Sequence, residues 1–451
     1  MIGNIYHWVW RMSLVSARIG LALGVLLSLA ACGDDEDQGT AASEAVRATP
    51  AEDIGITVAD GFRATVFADN LGSLRHIAVN ANGDLYAALS SRSEQKGIIA
   101  LRDSDGDHVA DVIERFGEVG GTGIAVKDGY LYRSSDTAIY RWKLKEDELV
   151  PSAPREQVAG GFTAERQHAA KSLALDNAGH IYVNVGAPAN ACQRKMRTKG
   201  SPGMKPCPLL KSHGGIWRFD ATRTEQDQTA DGTRFVSGTR NVVALAWNET
   251  AQALYGVQHG RDQLGQLWPR YFDDAQSAAR PAEEFLRFDE GAVFGWPYTY
   301  YDGIAHKRMI APEYEGDGKK QAEPGKYPEP LAVFPAHWAP NGLLFYAGTA
   351  FPDHYRGGAF IAFHGSWNRA PLAQQGYKVV FMPFKNAAPA GAGEVFADGF
   401  AGVQPLMSPR DARFRPMGLA QAPDGALYIA DSVKGRIWRI DYVGGSGASR
   451  E

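Results

Sequence analysis

One hydrophobic pattern recurs along the chain: a short apolar strand, a turn rich in Gly, Asn or Asp, then a second apolar strand containing an aromatic residue. It reads I-A-V-N-A-N-G-D-L-Y-A-A-L from Ile77, G-I-A-V-K-D-G-Y-L-Y from Gly123, S-L-A-L-D-N-A-G-H-I-Y-V-N-V from Ser172, V-A-L-A-W-N-E-T-A-Q-A-L-Y from Val243 and M-G-L-A-Q-A-P-D-G-A-L-Y-I-A from Met417. A looser sixth copy, N-G-L-L-F-Y-A-G followed by G-A-F-I-A-F, starts at Asn341. Each pair is followed by a third strand, such as G-I-I-A-L-R-D, G-I-W-R-F-D-A or R-I-W-R-I-D-Y. Up-and-down sheets repeated radially predict an all-β fold, a six-bladed β-propeller, and the uneven spacing of the copies predicts inserted loops on the active-site face. The stretch F-R-A-T-V-F-A-D at 62–69 has no pair of its own and is expected to supply the outer strand of the last blade, closing the ring.

The repeat also sorts side chains in space. The first strand of each blade lies nearest the axis, so the residues just before the six first strands meet at one end of the channel. They are Arg75 with His76, Thr122, His168, Arg240 with Asn241, His337 with Trp338, and Arg413 with Arg415. Second strands return to that same end and bring S-S-R, G-A-P-A-N, H-G-R-D at 259–262, H-G-S-W-N-R at 364–369 and D-S-V-K. One mouth therefore gathers histidines and arginines from segments distant in sequence.

Composition agrees with an all-β chain: 51 Gly and 11% aromatic residues in 451, without long amphipathic helical patterns. A net charge of −4 and the lack of a long basic run exclude nucleic acid as an expected partner. Arg11 and Arg18 precede an apolar stretch that is short for a membrane span and ends in L-A-A-C at Cys32, which reads as a secretory signal over 1–31. L-A-A-C resembles the bacterial lipobox, which implies lipidation of Cys32 and a lipid-anchored envelope protein facing the periplasm; Gly33 after the cysteine leans toward the outer membrane. Residues 32–54 are acidic and small, as in a flexible tether, 55–443 hold the propeller, and 444–451 form a disordered tail. In an oxidising compartment Cys192 and Cys207 are expected to form a disulfide; a metal site on the two would have only His213 nearby as a third ligand.

The arginines at the mouth favour an anionic ligand, since Arg240, Arg369, Arg413 and Arg415 with Asn241 are donors suited to carboxylates or phosphates. No Gly-rich phosphate loop follows a strand, and no H-x-H or H-x-x-E-H spacing places two metal ligands on one element. A polycarboxylated cofactor fits this set better than a nucleotide. The stretches S-G-T-R-N-V-V-A-L-A-W-N, Q-H-G-R-D-Q-L, G-A-V-F-G-W-P-Y, F-P-A-H-W-A-P-N-G, A-F-I-A-F-H-G-S-W-N-R and R-P-M-G-L-A-Q-A-P-D-G-A-L-Y-I-A-D resemble the pyrroloquinoline quinone (PQQ) dependent sugar dehydrogenases, in particular the sorbosone dehydrogenase-like branch related to soluble glucose dehydrogenase and pyranose dehydrogenase. The resemblance covers roughly residues 55–442. It implies PQQ on the mouth, a Ca²⁺ ion bridging cofactor and protein, and oxidation of a sugar or polyol hydroxyl, or of a hydrated aldehyde, by hydride transfer to the quinone.

Position by position, the resemblance implies His168 as general base and Arg240 with Asn241 as contacts of PQQ. It places His259 beside the cofactor, the carbonyls of Gly260 and Arg261 on its Ca²⁺, and Arg413 and Arg415 on its carboxylates. Trp367, with Trp296 and Trp338, is a flat surface on which a ring could stack. The acidic residue that the family pattern places after I-Y-V-N-V-G is Ala187 here, so a partner orienting His168 is not evident; Val243 replaces a glutamine; and H-G-S-W-N-R lacks a lysine, for which Arg369 is the substitute. D-S-D-G-D-H-V-A-D at 103–111 spaces Asp103, Asp105, Asp107 and Asp111 as a Ca²⁺ loop does, but without the bidentate Glu of an EF-hand, so a structural Ca²⁺ site and a plain acidic turn both stand. No C-x-x-C-H occurs, so electrons are expected to leave through a separate acceptor, a cytochrome or quinone. A Ca²⁺-dependent propeller lactonase, which would hold its metal with side-chain carboxylates, and a non-catalytic glycan- or envelope-binding propeller are the alternatives.

Overall fold

A computed structural model describes residues 53–90 and 97–444. The expected signal, Cys32, nearly all of the tether and the tail beyond Gly444 lie outside the described residues, as do Ser91 and Arg92 of the S-S-R segment. Six sheets account for the repeat, antiparallel except for a two-residue strand, Gln226–Asp227, that pairs parallel at the edge of blade 2. The first strands are Leu74–Val79, Ile124–Lys127, Leu173–Leu175, Ala244–Asn248, Pro340–Phe345 and Pro416–Gln421, and each adjoins the next around a ring. Blade 1 continues through Leu85–Leu89, Ile98–Arg102 and Val112–Phe116, and blades 2 to 5 follow the same order. In blade 6, Phe62–Ala68 pairs antiparallel with Ile437–Tyr442, from Phe62 opposite Tyr442 to Ala68 opposite Ile437. The start of the described chain thus closes its end, as the unpaired stretch at 62–69 predicts.

Packing explains why the second strands read as continuous apolar runs. Leu85–Leu89 and Ala359–Phe363 are buried at every position, because each blade is covered on both faces by its neighbours. The core is correspondingly divided: six apolar clusters fill the six gaps between adjacent blades. One boundary differs from expectation. Asp53 and Ile54, read as tether, are docked on blade 6: the Trp438 indole N–H donates to the Ile54 carbonyl at 2.8 Å, and Ile54 packs against the cluster between blades 5 and 6.

Insertions are concentrated at the mouth. Residues 186–214, between the second and third strands of blade 3, carry the disulfide Cys192–Cys207 and pack it with Ala187 and Trp296. Residues 259–282, in the same place in blade 4, hold two short helices, Leu264–Leu267 and Asp274–Ala279. The hairpin Thr299–Asp302 with Lys307–Ile310 returns to this end, where Ala282 N–H donates to Tyr301 O at 3.0 Å. The acidic loop at 103–111 follows a third strand and so lies at the opposite end.

Candidate active site

The loops before and after the inner strands enclose a mouth cavity of about 410 Å³. His168, Arg240, His259, Gly260, Glu283, His337 and Trp367 are in its wall, with Asp262, Arg197, Gln167 and Asn368. Four lining residues, His168, Arg197, His337 and Ala339, have left-handed backbone, with φ of 53°, 49°, 66° and 55°. Non-glycine residues in this left-handed region cost roughly 1–2 kcal/mol each and persist where surrounding structure over-determines them.

His168 has a partner that side-chain comparison could not reveal. Its Nδ1 faces the main-chain carbonyl of Ala187 at 2.5 Å. A carbonyl only accepts, so in neutral His168 the proton sits on Nδ1 and the Nε2 lone pair is left as the proton acceptor. Gly186 makes the approach possible: a Cβ there would stand 2.6 Å from Asn241 Oδ1 and 2.8 Å from His168 Cβ. Burial, reinforced by the nearby charge of Arg240, lowers the His168 pKa to about 3, so the imidazole is neutral across the working range.

Asp262, the last residue of H-G-R-D, is the hub of the wall. Its carboxylate accepts from Arg240 at 2.7 Å, Arg197 at 3.0 Å and Asn368 at 2.8 Å, joining four separate loops. Burial opposes its ionisation, but the charges of Arg240, His337 and Arg197 overcome that and hold the carboxyl far below the usual range. Asn190 completes the frame: its Oδ1 accepts from the Asp262 backbone N–H at 2.8 Å and from Arg240 at 3.2 Å. Glu283 accepts from the N–H groups of Gly260 at 2.8 Å and Ala339 at 3.1 Å. Burial is the main cause that pushes its pKa up to about 7. His259 donates from Nε2 to the Pro340 carbonyl at 2.8 Å, which leaves Nδ1 to accept from Asn241 at 3.4 Å.

Several expected site residues are elsewhere. Asn241 stands behind His168 and His259 and is absent from the wall. Arg413 pairs with Asp53 and lies 4.9 Å over the Phe414 ring, away from the cavity. Arg415 donates to the carbonyls of His364 at 3.0 Å and Gly365 at 2.5 Å, while Arg369 donates to those of Ala373 at 3.0 Å and Ala278 at 2.5 Å. Buried guanidinium groups must satisfy their donors, and loop carbonyls were nearer than the cavity. The Arg261 side chain turns away into a bidentate pair with Glu313 at 2.6 and 3.0 Å.

Carboxylates with metal-ligand geometry occur at the other end. Oxygens of Asp103, Asp105 and Asp107 lie within 4.8 Å of one another, whereas Asp111 is engaged by Ser104 and stands apart. Among the described residues no such group of three is found at the mouth.

Fold and site together define the class: a six-bladed β-propeller whose mouth holds a neutral histidine, a framed arginine and a cavity of ligand size. The chain belongs to the TrAA12-like family, whose pattern matches residues 56–443. It is 28% identical over 287 residues to the pyrroloquinoline quinone-dependent pyranose dehydrogenase of Coprinopsis cinerea, a match covering 54% of this chain and 37% of that protein. An uncharacterised protein of Borreliella burgdorferi is 24% identical over 305 residues, 67% of this chain and 65% of its own length. The chain thus spans less than two thirds of both relatives. Its fold matches the holo form of the pyranose dehydrogenase PQQ domain of Coprinopsis cinerea with a TM-score of 0.67 at 18% identity, over 88% of this chain and 99% of the other. It also matches the PQQ-bound aldose sugar dehydrogenase of Streptomyces coelicolor, with a TM-score of 0.52 at 17% identity, over 85% and 99%.

Proposed function

We propose that this protein is a PQQ-dependent oxidoreductase that oxidises a hydroxyl or hydrated aldehyde of a sugar or polyol. Membership of the family and the named activity of the Coprinopsis relative support the class. The observation that carries the reading is His168: a histidine fixed in one tautomer by the Ala187 carbonyl, with its free nitrogen in the same wall as Arg240.

The residues present fit the cofactor. The wall has room for a flat, drug-sized ring system and offers the guanidinium groups of Arg240 and Arg197 and the indole of Trp367, which is 53% exposed. The carbonyls of Gly260 and Arg261 would hold Ca²⁺, a hard ion that takes oxygen ligands. When bound, PQQ supplies the hydride acceptor.

The chain's own part is positioning and proton transfer. Arg240 cannot swing, since Asp262 and Asn190 hold its guanidinium from behind, so a ligand carboxylate meets a preset donor. An anion on Arg240 also offsets the charge that, after burial, depresses His168, making the imidazole a better acceptor of the substrate hydroxyl proton at Nε2. The site belongs to an enzyme anchored in the cell envelope through Cys32, passing electrons to a separate acceptor. The lack of a side-chain carboxylate cluster at the mouth, among the described residues, disfavours a metal-dependent lactonase.

The test is reconstitution. Purified apoprotein given PQQ and Ca²⁺ is expected to reduce a redox dye when aldoses are added and to show no lactone hydrolysis. Lactone hydrolysis without PQQ, or failure to bind PQQ at all, contradicts the proposal.

A further inference from the structure

The insertion at 186–214 is charged unlike the rest of the molecule. It carries six cations, Arg194, Lys195, Arg197, Lys199, Lys205 and Lys211, and no acid, in a chain whose net charge is −4. Arg197 is turned inward, to Gln167 at 3.2 Å and Asp262 at 3.0 Å in the cavity wall. Arg194, Lys195 and Lys199 are exposed, and among the described residues their side chains enter no ion pair. The acid on the segment leading to His168, Glu165, faces His213 instead, at 3.5 Å. The turn is held in shape: Arg194 N–H donates to Pro202 O at 2.9 Å, Lys195 N–H to Ser201 Oγ at 3.0 Å and Gly200 N–H to Leu267 O at 3.0 Å, inside the loop that Cys192 and Cys207 close. Three like charges fixed on one turn repel one another, and an anionic surface laid against them removes that repulsion.

The turn stands at the rim of the mouth. Gln167, which lines the cavity beside His168, donates from its amide to the sulfur of Met196 at 3.3 Å. Met196 is 49% exposed in the middle of the three cations. An apolar methionine within a charged rim is the composition of a protein contact surface. The place of the charge selects the size of the occupant. The cavity wall itself carries two cations, Arg197 and Arg240, and two acids, Asp262 and Glu283. The excess positive charge therefore lies on the surface around the cavity, where it suits a partner too large to enter. A membrane pressed on this rim would seal the cavity against its substrate, whereas a protein that docks and leaves would not.

We infer that the turn from Arg194 to Lys199 is the docking surface for the electron acceptor, a one-electron carrier protein whose redox group is ringed by acidic side chains. Oxidation of one hydroxyl to a carbonyl releases two electrons and two protons. The carrier docks twice per turnover and takes one electron each time, and both protons pass to solvent. Contacts of this kind are small and short-lived, and opposite charges raise the rate of encounter more than the affinity. The identity of the partner rests on the proposed oxidoreductase activity; the docking surface does not.

The experiment compares two probes with one haem and opposite surface charge: native cytochrome c, which is basic, and succinylated cytochrome c, whose lysines carry carboxylates instead. Reconstituted protein given aldose is expected to reduce the succinylated form about tenfold faster than the native form, with the advantage shrinking as salt is added. The combined variant Arg194→Glu, Lys195→Glu, Lys199→Glu is expected to lose that preference while reducing 1,4-benzoquinone, a small uncharged acceptor, at the wild-type rate. A native form reduced as fast as the succinylated one, or a preference that survives in the variant, overturns the proposal. Surface plasmon resonance on the cofactor-free protein separates the surface from the chemistry. Succinylated cytochrome c is expected to bind wild type about tenfold more tightly than the variant. That difference without any sugar-dependent reduction supports the surface and removes the oxidoreductase reading, whereas equal binding overturns the surface. Binding to phosphatidylglycerol vesicles that the variant loses, with none to succinylated cytochrome c, also overturns it, in favour of a membrane contact.

Discussion

Gly186 and His168 illustrate how closely single residues constrain this site. A methyl at position 186 would collide with Asn241 and with His168 itself. Gly186→Ala is therefore expected to displace the base and reduce sugar-dependent turnover by tenfold or more, about 1.4 kcal/mol of barrier, while the far-ultraviolet dichroism of the propeller is retained; unaltered kcat would contradict the packing described. Acid sensitivity follows from three histidines. Burial lowers His168 to about 3 and His76 and His259 to about 4, whereas an unfolded histidine titrates near 6.5. The native state thus binds fewer protons below pH 6.5, and stability falls as pH drops from there toward 3. Denaturant midpoints measured between pH 7 and 4 should decline, and His168→Asn should make that decline shallower; equal slopes would mean that His168 is not buried neutral. At this scale the sequence was only partly readable. Position along the repeat put His168, Arg240, His259, Gly260 and Trp367 at one mouth, but not the direction in which a long side chain turns, so Arg369, Arg413 and Arg415 were expected at the cavity and face carbonyls or Asp53 instead. Asp262 and Glu283 escaped notice because an acid in a basic mouth has no spacing signature; the sole cue was its place in H-G-R-D, beside an arginine that needed a counter-charge.

Among the elements, the insertion at 186–214 does more than cover blade 3. It delivers Asn190, which frames Arg240, and Arg197, which shares Asp262. The disulfide across its 15-residue separation ties that insertion into a fixed loop. In the chain-entropy account such a closure stabilises by about 3 kcal/mol. Cys192→Ser with Cys207→Ser should lower the thermal midpoint and also weaken PQQ binding in a fluorescence titration, because the frame behind Arg240 loosens. A lowered midpoint with unchanged affinity would show that the loop supports the fold alone. The pairing was legible from the cysteine count and the expected export, whereas the Ala187 carbonyl was not, since main-chain atoms leave no mark on residue identity.

For the whole molecule, the strand periodicity made the six blades and the ring closure legible, because every blade repeats the same burial and so the same apolar runs. Closure is what couples the ends. Removing residues 53–68 takes away the outer strand of blade 6 and the Ile54 carbonyl that receives the Trp438 indole, so a chain starting at 69 is expected to unfold at a lower midpoint with a broader transition in calorimetry. An unaltered transition would mean that the ring does not need its closing strand. The central claim, that the mouth joins a held cofactor to a histidine base, is tested most directly in a single turnover. Reconstituted protein is mixed anaerobically with aldose and the absorbance of the bound quinone is followed. The account predicts that wild type loses the oxidised spectrum rapidly, whereas His168→Asn binds PQQ equally well but loses it at least a hundredfold more slowly; equal rates for the two, or a wild-type spectrum that does not change with sugar, would contradict it.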